Sequence, residues 1–292
     1  SSLTYPQETL MNQNFLRRYF DIFQNIELAA SGKGDERMNS LIRRQEGPVT
    51  LLALTRPPIN ALDREALEEL AEAVEEVEAD QETRALVITG GIEGIFCSGG
   101  DLKYWRQIHD GKKVSRAGRD IFARIERLAK PTVAAINGHV VGDGLALALA
   151  CDLRIASEVA TFRLPELAYG FIPGWGLIHR LVALVGRANA SELLFTGQPV
   201  GAARARAIGL VNDVVPSGRL MDDALGRARE MAALSSAALR AAKCALLGGD
   251  ERVCFEAVWG EADWREGIDA LLARRAPAFE NAKGGGCCDL AG

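Results

Sequence analysis

Apolar and polar positions follow two different periods along the body of the chain. Short apolar runs, bounded by turn residues, predict strands at 49–55, 84–90, 131–138, 152–157, 160–166 and 209–215. Between several of these runs, apolar residues recur every three or four positions, which predicts helices over 63–80, 118–129 and 144–150. Asp63 stands where a helix N-cap is expected.

Strands that alternate with helices indicate α/β construction with a partly parallel sheet. From residue 176 onward helical periodicity dominates, apart from the strand at 209–215. We therefore expect an N-terminal extension at 1–40, a core at 41–215, a helical C-terminal region at 216–280 and a flexible tail at 281–292. The extension is polar, and either a flexible segment or an arm that packs on a neighbouring subunit fits its composition.

Composition excludes some classes of function but does not identify one. The chain has 292 residues, 48% of them hydrophobic and 25% charged, which is ordinary for a globular protein. Its net charge of −5 argues against a general nucleic-acid surface, which needs a basic stripe. We expect no secretory signal and no membrane span, because no charged segment precedes an apolar one at the start and no long apolar run occurs.

The cysteines predict neither disulfides nor a metal site, since they lack the spacing of either. They lie at Cys97, Cys151, Cys244, Cys254, Cys287 and Cys288. We therefore expect a reducing, cytoplasmic environment.

Two glycine-containing turns carry the first chemical signal. One is "GIFCSGGDLKYW" (94–105), and the other lies within "AAINGHVVGDGLALALACDLRIAS" (134–157). A glycine-rich turn that leads into a helix exposes backbone N–H groups, and two such turns could bind one oxygen that becomes negative during a reaction. A dinucleotide-binding motif fits poorly, because Leu147 stands at its third glycine position and Glu166 follows a proline. A nicotinamide-dependent oxidoreductase remains an alternative.

Six segments together resemble the enoyl-CoA hydratase/isomerase (crotonase) superfamily, in order and at that family's spacing from about 45 to 280. They are "RPPINALDREALEEL", "VITGGIEGIFCSGGDL", "KPTVAAINGHVVGDGLALALACDLRIAS", "TFRLPELAYGFIPGWGLIHRL", "LLFTGQPVGAARARAIGLVNDVV" and "EGIDALLARRAPAF". The resemblance implies an α/β crotonase-like spiral of ββα units followed by a helical region. It further implies an acyl-CoA substrate, no metal or cofactor beyond CoA, and a homotrimer or homohexamer.

The resemblance also implies roles for particular residues. An enolate oxygen would be bound by two backbone N–H groups, those of Ser98 and of Asp143 in the turn Gly142–Gly144, with the Asp143 side chain pointing away. Trp175 would either wall the acyl pocket or pack in the core. The positions implied to bind substrate and CoA are Arg56, Ala61, Leu62, Ser98, Gly99, Gly100, Asp101, Leu102, Lys103, Arg106, Gly142, Asp143 and Trp175.

The acid–base groups separate the possible reactions. Hydratases of this family use two glutamates; Glu166 matches one of them, whereas Ala146 stands at the position of the other. A single base is sufficient to move a proton between carbons, so we expect double-bond isomerisation or a related enolate conversion. Hydration with Glu166 alone is the closest alternative. Carbon–carbon bond chemistry and a non-catalytic acyl-CoA-binding protein are further ones.

Overall fold

The structure is a computed structural model that describes residues 36–37, 39–108 and 111–279. The predicted tail 281–292 and residues 1–35 of the predicted extension lie outside the described residues. The strands are β1 (Glu36–Arg37), β2 (Leu41–Glu46), β3 (Val49–Leu54), β4 (Ala85–Gly90), β5 (Ile95–Cys97), β6 (Thr132–Ile136), β7 (His139–Val141), β8 (Leu153–Ser157), β9 (Thr161–Arg163), β10 (Val200–Gly201) and β11 (Asp213–Val215). The α-helices are α1 (Arg64–Ala79), α2 (Leu102–Gln107), α3 (Gly111–Arg127), α4 (Asp143–Ala150), α5 (Leu177–Thr196), α6 (Ala202–Ala207), α7 (Leu220–Ala232), α8 (Ser236–Leu246), α9 (Glu251–Trp259) and α10 (Asp263–Leu272).

The larger sheet contains seven described strands in the order β1-β2-β3-β4-β6-β8-β11. Its first two pairings are antiparallel and all later ones are parallel. Every residue of β4 is buried, as expected for a central parallel strand that is covered on both faces. Its alternate residues divide between two cores, because successive side chains of a strand point to opposite faces.

The two faces of this sheet pack against different partners. Val87 of β4 contacts a core that α7 completes with Ala224 and Ala228, small residues that let the helix approach closely. Leu86 and Ile88 point into the main core, between this sheet, the smaller sheet and the helices around it. The larger sheet is therefore a buried scaffold on both sides.

The smaller sheet contains four described strands in the order β10-β9-β7-β5. Strands β5, β7 and β9 run parallel to one another, so their carboxyl ends meet at the same edge. Each of these strands is three residues long. The turns that leave these three strands therefore converge in space.

Most elements predicted from periodicity are confirmed. The strands expected at 49–55, 84–90, 131–138 and 152–157 are β3, β4, β6 and β8, and α1 matches the predicted helix 63–80. Asp63 is its N-cap, and the side chain accepts a hydrogen bond from the Ala66 N–H at 3.0 Å.

Other predictions need correction at their boundaries. The helix expected over 118–129 begins at Gly111, and the strand expected over 209–215 covers only Asp213–Val215. The strand expected over 160–166 ends at Arg163, before a proline that has no N–H for a ladder. Strands β2, β5 and β7 were not predicted, because β5 and β7 are too short to show a period and β2 is rich in charged residues.

Helices α8, α9 and α10 follow α7, and no strand occurs after β11 in the described chain. This agrees with the helical region predicted from the sequence. They expose several large apolar side chains: Leu246, Phe255, Trp259, Leu271 and Leu272. Four cysteines of the described chain are buried and form no disulfide with one another: Cys97, Cys151, Cys244 and Cys254. Across the described residues, no helix has the length and apolar character needed to cross a membrane.

Candidate active site

Three chain segments meet at the carboxyl edge of the smaller sheet. Strand β5 leads into Ser98–Gly100, β7 leads into Gly142–Gly144, and β9 leads through Leu164 and Pro165 to Glu166. The edge where parallel strands end is where α/β proteins place their ligands. The two glycine turns and the glutamate singled out in the sequence are thus brought together by one small sheet.

The first turn leaves the N–H of Gly100 without an acceptor. The Leu62 N–H donates to Gly99 O at 2.8 Å, and the Asp101 N–H donates to Leu62 O at 3.0 Å. Gly100 lies between these two bonds, in a parallel bridge with Leu62. Its own N–H therefore points away from Leu62, and among the described residues no acceptor faces it.

Ser98 is placed differently from its predicted role. Its N–H donates to Ile59 O at 3.2 Å, so this donor already has an acceptor within the protein. Its hydroxyl is buried without a partner among the described residues. The geometry favours Gly100, which the family resemblance assigns to substrate binding, as the oxyanion donor of this turn. The Ser98 assignment remains a prediction.

The second turn supplies the other donor. Asp143 is the first residue of α4, and in the described chain its N–H has no acceptor, as is usual in a first helical turn. The two turns are in contact: a Cβ added to Gly99, whose φ is +82°, would lie 2.9 Å from the Asp143 nitrogen. Two free N–H groups, on Gly100 and Asp143, thus belong to adjoining backbone segments beside the positive end of a helix dipole.

Glu166 is the buried carboxyl of the site. It begins a 3₁₀-helix (Glu166–Tyr169), and only 5% of its surface is exposed. Oε1 lies against Gly142, where any Cβ would collide with it, and Oε2 is buried with no partner in the described structure. Burial raises the pKa of Glu166 to about 7; its own backbone N–H opposes this rise, and the charge of Asp143 adds to it. Glu166 is therefore able to exchange protons near neutral pH.

The Asp143 carboxylate extends away from its backbone N–H toward the segment before α5. Its Oδ1 accepts a hydrogen bond from the Gly174 N–H at 2.7 Å. Burial raises the pKa of Asp143 to about 6, although the Gly174 hydrogen bond acts in the opposite direction. The site thus contains two carboxyl groups with elevated pKa values.

Ala146 lies in α4, three residues after Asp143, and is fully buried in the main core. A methyl group therefore stands where a two-glutamate site of this kind is expected to carry its second carboxylate. Cys97, at the end of β5, is also buried; burial raises its pKa to about 12, so it is neutral at pH 7. Neither side chain replaces the second glutamate.

Trp175 is a core residue. It is 2% exposed and packs edge-on against Phe122, with ring centroids 5.3 Å apart, and against Trp105 at 6.1 Å. The indole of Trp105 in turn covers Gly100, since a Cβ there would lie 2.6 Å from Trp105 Nε1. The core-packing role is confirmed, and the predicted contact with an acyl group stays a prediction.

The segment proposed to hold CoA is built around Arg56. This guanidinium pairs with Asp63 at 2.5 Å and with Asp101 at 2.9 Å, and it also donates to Ala61 O at 3.1 Å. Burial opposes ionisation of Asp101, but hydrogen bonds from the Tyr104 N–H and from Arg56 outweigh it and lower its pKa. The two acids are the N-caps of α1 and α2, so Arg56 fastens these helices together and has fewer donors left for a phosphate.

The other predicted CoA positions divide into two sets. Ala61 and Leu62 are buried beside the first turn. Leu102, Lys103 and Arg106 lie on α2 and are exposed, so these two cations are accessible to an anion. Their role in binding stays a prediction.

Two residues that hold the site were not predicted from the sequence. Asn60, at a φ of +51°, donates through its amide to Ile95 O and Phe96 O and so fixes β5. Gly174 supplies the N–H that binds Asp143. Nothing in the local pattern marks either contact, because both partners lie far away in sequence. Among the described residues, no group of three or more His, Cys, Asp or Glu side chains could hold a metal ion.

The fold and the site define an acyl-CoA enzyme with the crotonase fold, and comparison with known proteins agrees. Residues 44–282 match the family model "Enoyl-CoA hydratase/isomerase". The chain belongs to this family.

Individual relatives match over nearly their whole length. The short-chain-enoyl-CoA hydratase of Clostridium acetobutylicum is 35% identical over 251 residues, covering 82% of this chain and 96% of the relative. The 2,3-dehydroadipyl-CoA hydratase of Escherichia coli is 36% identical over 254 residues, covering 83% and 99%. The crystal structure of an enoyl-CoA hydratase from Bacillus anthracis superposes with a TM-score of 0.79 at 33% identity, covering 83% of this chain and all of that one. DspI of Pseudomonas aeruginosa gives 0.80 at 32% identity, covering 86% and 100%.

Proposed function

We propose that this protein converts an enoyl-CoA thioester through an enolate, with Glu166 as its single proton-transferring base, and that the reaction is a double-bond isomerisation. The thioester oxygen would accept hydrogen bonds from the N–H groups of Gly100 and Asp143. Ionised Glu166 would remove a proton from the α-carbon of a 3-enoyl group, leaving a dienolate. The same proton, now on Glu166, would be delivered to the γ-carbon to give the 2-enoyl product.

The observation that carries this proposal is that the site contains a buried glutamate, Glu166, while the position expected to hold a second glutamate carries the buried methyl group of Ala146. A proton shift between carbons needs one group that accepts and returns a proton, and a carboxyl with a pKa of about 7 suits both steps. Backbone donors matched to an enolate oxygen, which bears more charge than the thioester oxygen, lower the barrier by about 3 kcal/mol each.

Hydration is the second candidate, because the Clostridium acetobutylicum and Escherichia coli relatives are both named as hydratases. Hydration would require Glu166 both to activate the attacking water and to deliver the proton to carbon, or it would require a second group to take one of these roles. Carbon–carbon bond chemistry through the same enolate and acyl-CoA binding without turnover are the remaining alternatives, and product analysis separates all four.

The test is to incubate the protein with a 3-enoyl-CoA, a 2-enoyl-CoA and a malonyl-type CoA ester, to separate the products by liquid chromatography against standards of each double-bond isomer, and to identify them by mass spectrometry. Isomerisation leaves the substrate mass unchanged and alters its retention time, whereas hydration adds the mass of one water molecule. Conversion of the 3-enoyl ester without gain of water supports the proposal. Addition of water to the 2-enoyl ester with no isomerisation would replace it by hydration, and binding without any turnover would make the protein a binding member.

We also propose that the protein assembles as a homotrimer or homohexamer through its helical C-terminal region. The support is the set of large apolar side chains that α8, α9 and α10 expose, including Phe255 and Trp259. Light scattering coupled to size exclusion gives the mass directly. A monomer at micromolar concentration would contradict the proposal.

A further inference from the structure

Residue 143 contributes to the site in two directions. Its N–H is one of the two free donors, while its carboxylate holds the Gly174 N–H at 2.7 Å. A glycine at this position would keep the first contact and lose the second. The side chain therefore adds a link between the oxyanion turn and the segment that precedes α5.

That segment needs to be held because its backbone is strained. Trp175 has a φ of +50°, a left-handed conformation that is unfavourable for a residue with a Cβ. On one side, Arg180 donates to Trp175 O at 2.8 Å while pairing with Glu126 at 2.7 Å. On the other side, the segment is held by the hydrogen bond between Asp143 and Gly174.

The segment also determines what covers the other donor. Trp175 packs on Trp105, and the Trp105 indole lies against Gly100. A chain of direct contacts therefore runs from the Asp143 carboxylate through Gly174, Trp175 and Trp105 to Gly100. A shift of the Gly174 turn would be transmitted to the wall beside the oxyanion hole.

We infer that Asp143 is a positioning residue: its carboxylate fixes the Gly174–Trp175 turn, and with it the two packed tryptophans of which Trp105 lies against Gly100, one of the two oxyanion donors. The inference rests on the proposed enolate chemistry for its kinetic consequences, but the contact it invokes can be measured without turnover. The rival role for the same side chain is proton transfer in place of the glutamate missing at 146.

Two substitutions separate these roles. Asp143→Asn keeps an oxygen that can accept the Gly174 N–H but removes the ionisable group, and Asp143→Gly removes both. Asp250→Asn is the matched control, since that carboxylate caps a surface helix remote from the site along the chain, where it accepts from the Arg252 and Val253 N–H groups.

Amide hydrogen exchange tests the contact itself. We expect Asp143→Gly to accelerate exchange in a peptide covering 170–176, and Asp143→Asn and the control to leave it close to wild type. Unchanged exchange in Asp143→Gly would overturn the inference, whatever the activity of the protein proves to be.

Kinetics tests the consequence. We expect kcat/KM of Asp143→Gly to fall by about 100-fold, the loss that an approximately 1 Å misplacement causes, and Asp143→Asn to recover most of it. The pH profile of Asp143→Asn should also move to lower pH. Among the described residues, the charge of Asp143 acts on Glu166 and on the neutral Cys97 thiol, so the variant relieves Glu166 of a negative charge.

A different pattern identifies the rival role. If Asp143→Asn is as inactive as Asp143→Gly while its exchange matches wild type, the carboxyl transfers protons and the positioning inference is wrong. If wild type converts no acyl-CoA, the proposed function fails while hydrogen exchange still decides whether Asp143 holds the turn.

Discussion

The two sheets of this protein differ in what their strands are for. Strands β3 and β4 of the larger sheet are six residues long, and β4 is buried throughout between two apolar cores. Strands β5, β7 and β9 of the smaller sheet are three residues long and end in turns that leave two N–H groups and one carboxylate oxygen without partners in the described structure. Long strands supply stability, whereas short parallel ones bring distant turns to one edge.

The sharpest test of this division is Glu166→Gln. We expect turnover to fall by about 10²–10⁴-fold, because the amide cannot accept the substrate proton. Stopped-flow or steady-state assays on the acyl-CoA ester identified for wild type measure the loss.

Folding is the control for that variant. Gln is close in size to Glu, and an ionised Glu166 is disfavoured by burial, so the variant should be at least as stable as wild type at pH 8. An inactive variant that is also unfolded would leave the assignment to Glu166→Ala, assayed on the folded fraction. Turnover close to wild type in a folded variant would refute the single-base mechanism.

Leu86→Ala makes the opposite change, in the larger sheet. Leu86 is fully buried, and its truncation should lower the free energy of unfolding by about 2–5 kcal/mol through lost contacts and a cavity. Urea denaturation measures that loss. Turnover per folded molecule should change little, and a selective loss of turnover would show that the scaffold and the site are not separable in this way.

The pH dependence gives a smaller effect with a definite sign. A base whose pKa is raised to about 7 is protonated below that pH, so kcat/KM should rise with pH through about 7 and level off above it. Below the pKa the loss is tenfold per pH unit. A flat profile between pH 5 and 8 would mean that Glu166 is not the group that must be ionised.

The smallest effect is expected for Ser98→Ala. The Ser98 N–H remains in the variant, so turnover should change by less than about threefold. The hydroxyl is buried without a partner in the described structure, so its removal should raise stability by about 1 kcal/mol or leave it unchanged. A large loss of turnover would instead give the Ser98 hydroxyl a role in the reaction.

The sequence predicted the scaffold better than the site geometry, for physical reasons. Strands such as β4 carry enough apolar residues to show their character locally, and α1 begins at a recognisable cap, Asp63. Strands β5 and β7 have three residues each, too few for any period, and it is their pairing that brings the two glycine turns together.

The individual site residues show the same limit. Glu166 and the turn at Asp143 were found through motif resemblance. The choice between the N–H groups of Ser98 and Gly100 depends on the acceptor of each. The Ser98 N–H donates to Ile59 O, whereas the Gly100 N–H has no acceptor in the described chain. The contact between Asp143 and Gly174 spans 31 positions and leaves no local trace.

The four buried cysteines of the described chain can also report local opening of the protein. Cys97 lies at the site, Cys151 follows α4, and Cys244 and Cys254 lie in the helical region. A thiol reagent reaches each cysteine only when the surrounding structure opens. The labelling rate of each cysteine, measured by mass spectrometry, therefore reports the frequency of local unfolding in that region. Burial raises the pKa of Cys97 and Cys151 to about 12, so neither forms the reactive thiolate until opening exposes it to water. Binding of an acyl-CoA at the smaller sheet should lower the labelling rate of Cys97 and leave the labelling rate of Cys244 unchanged.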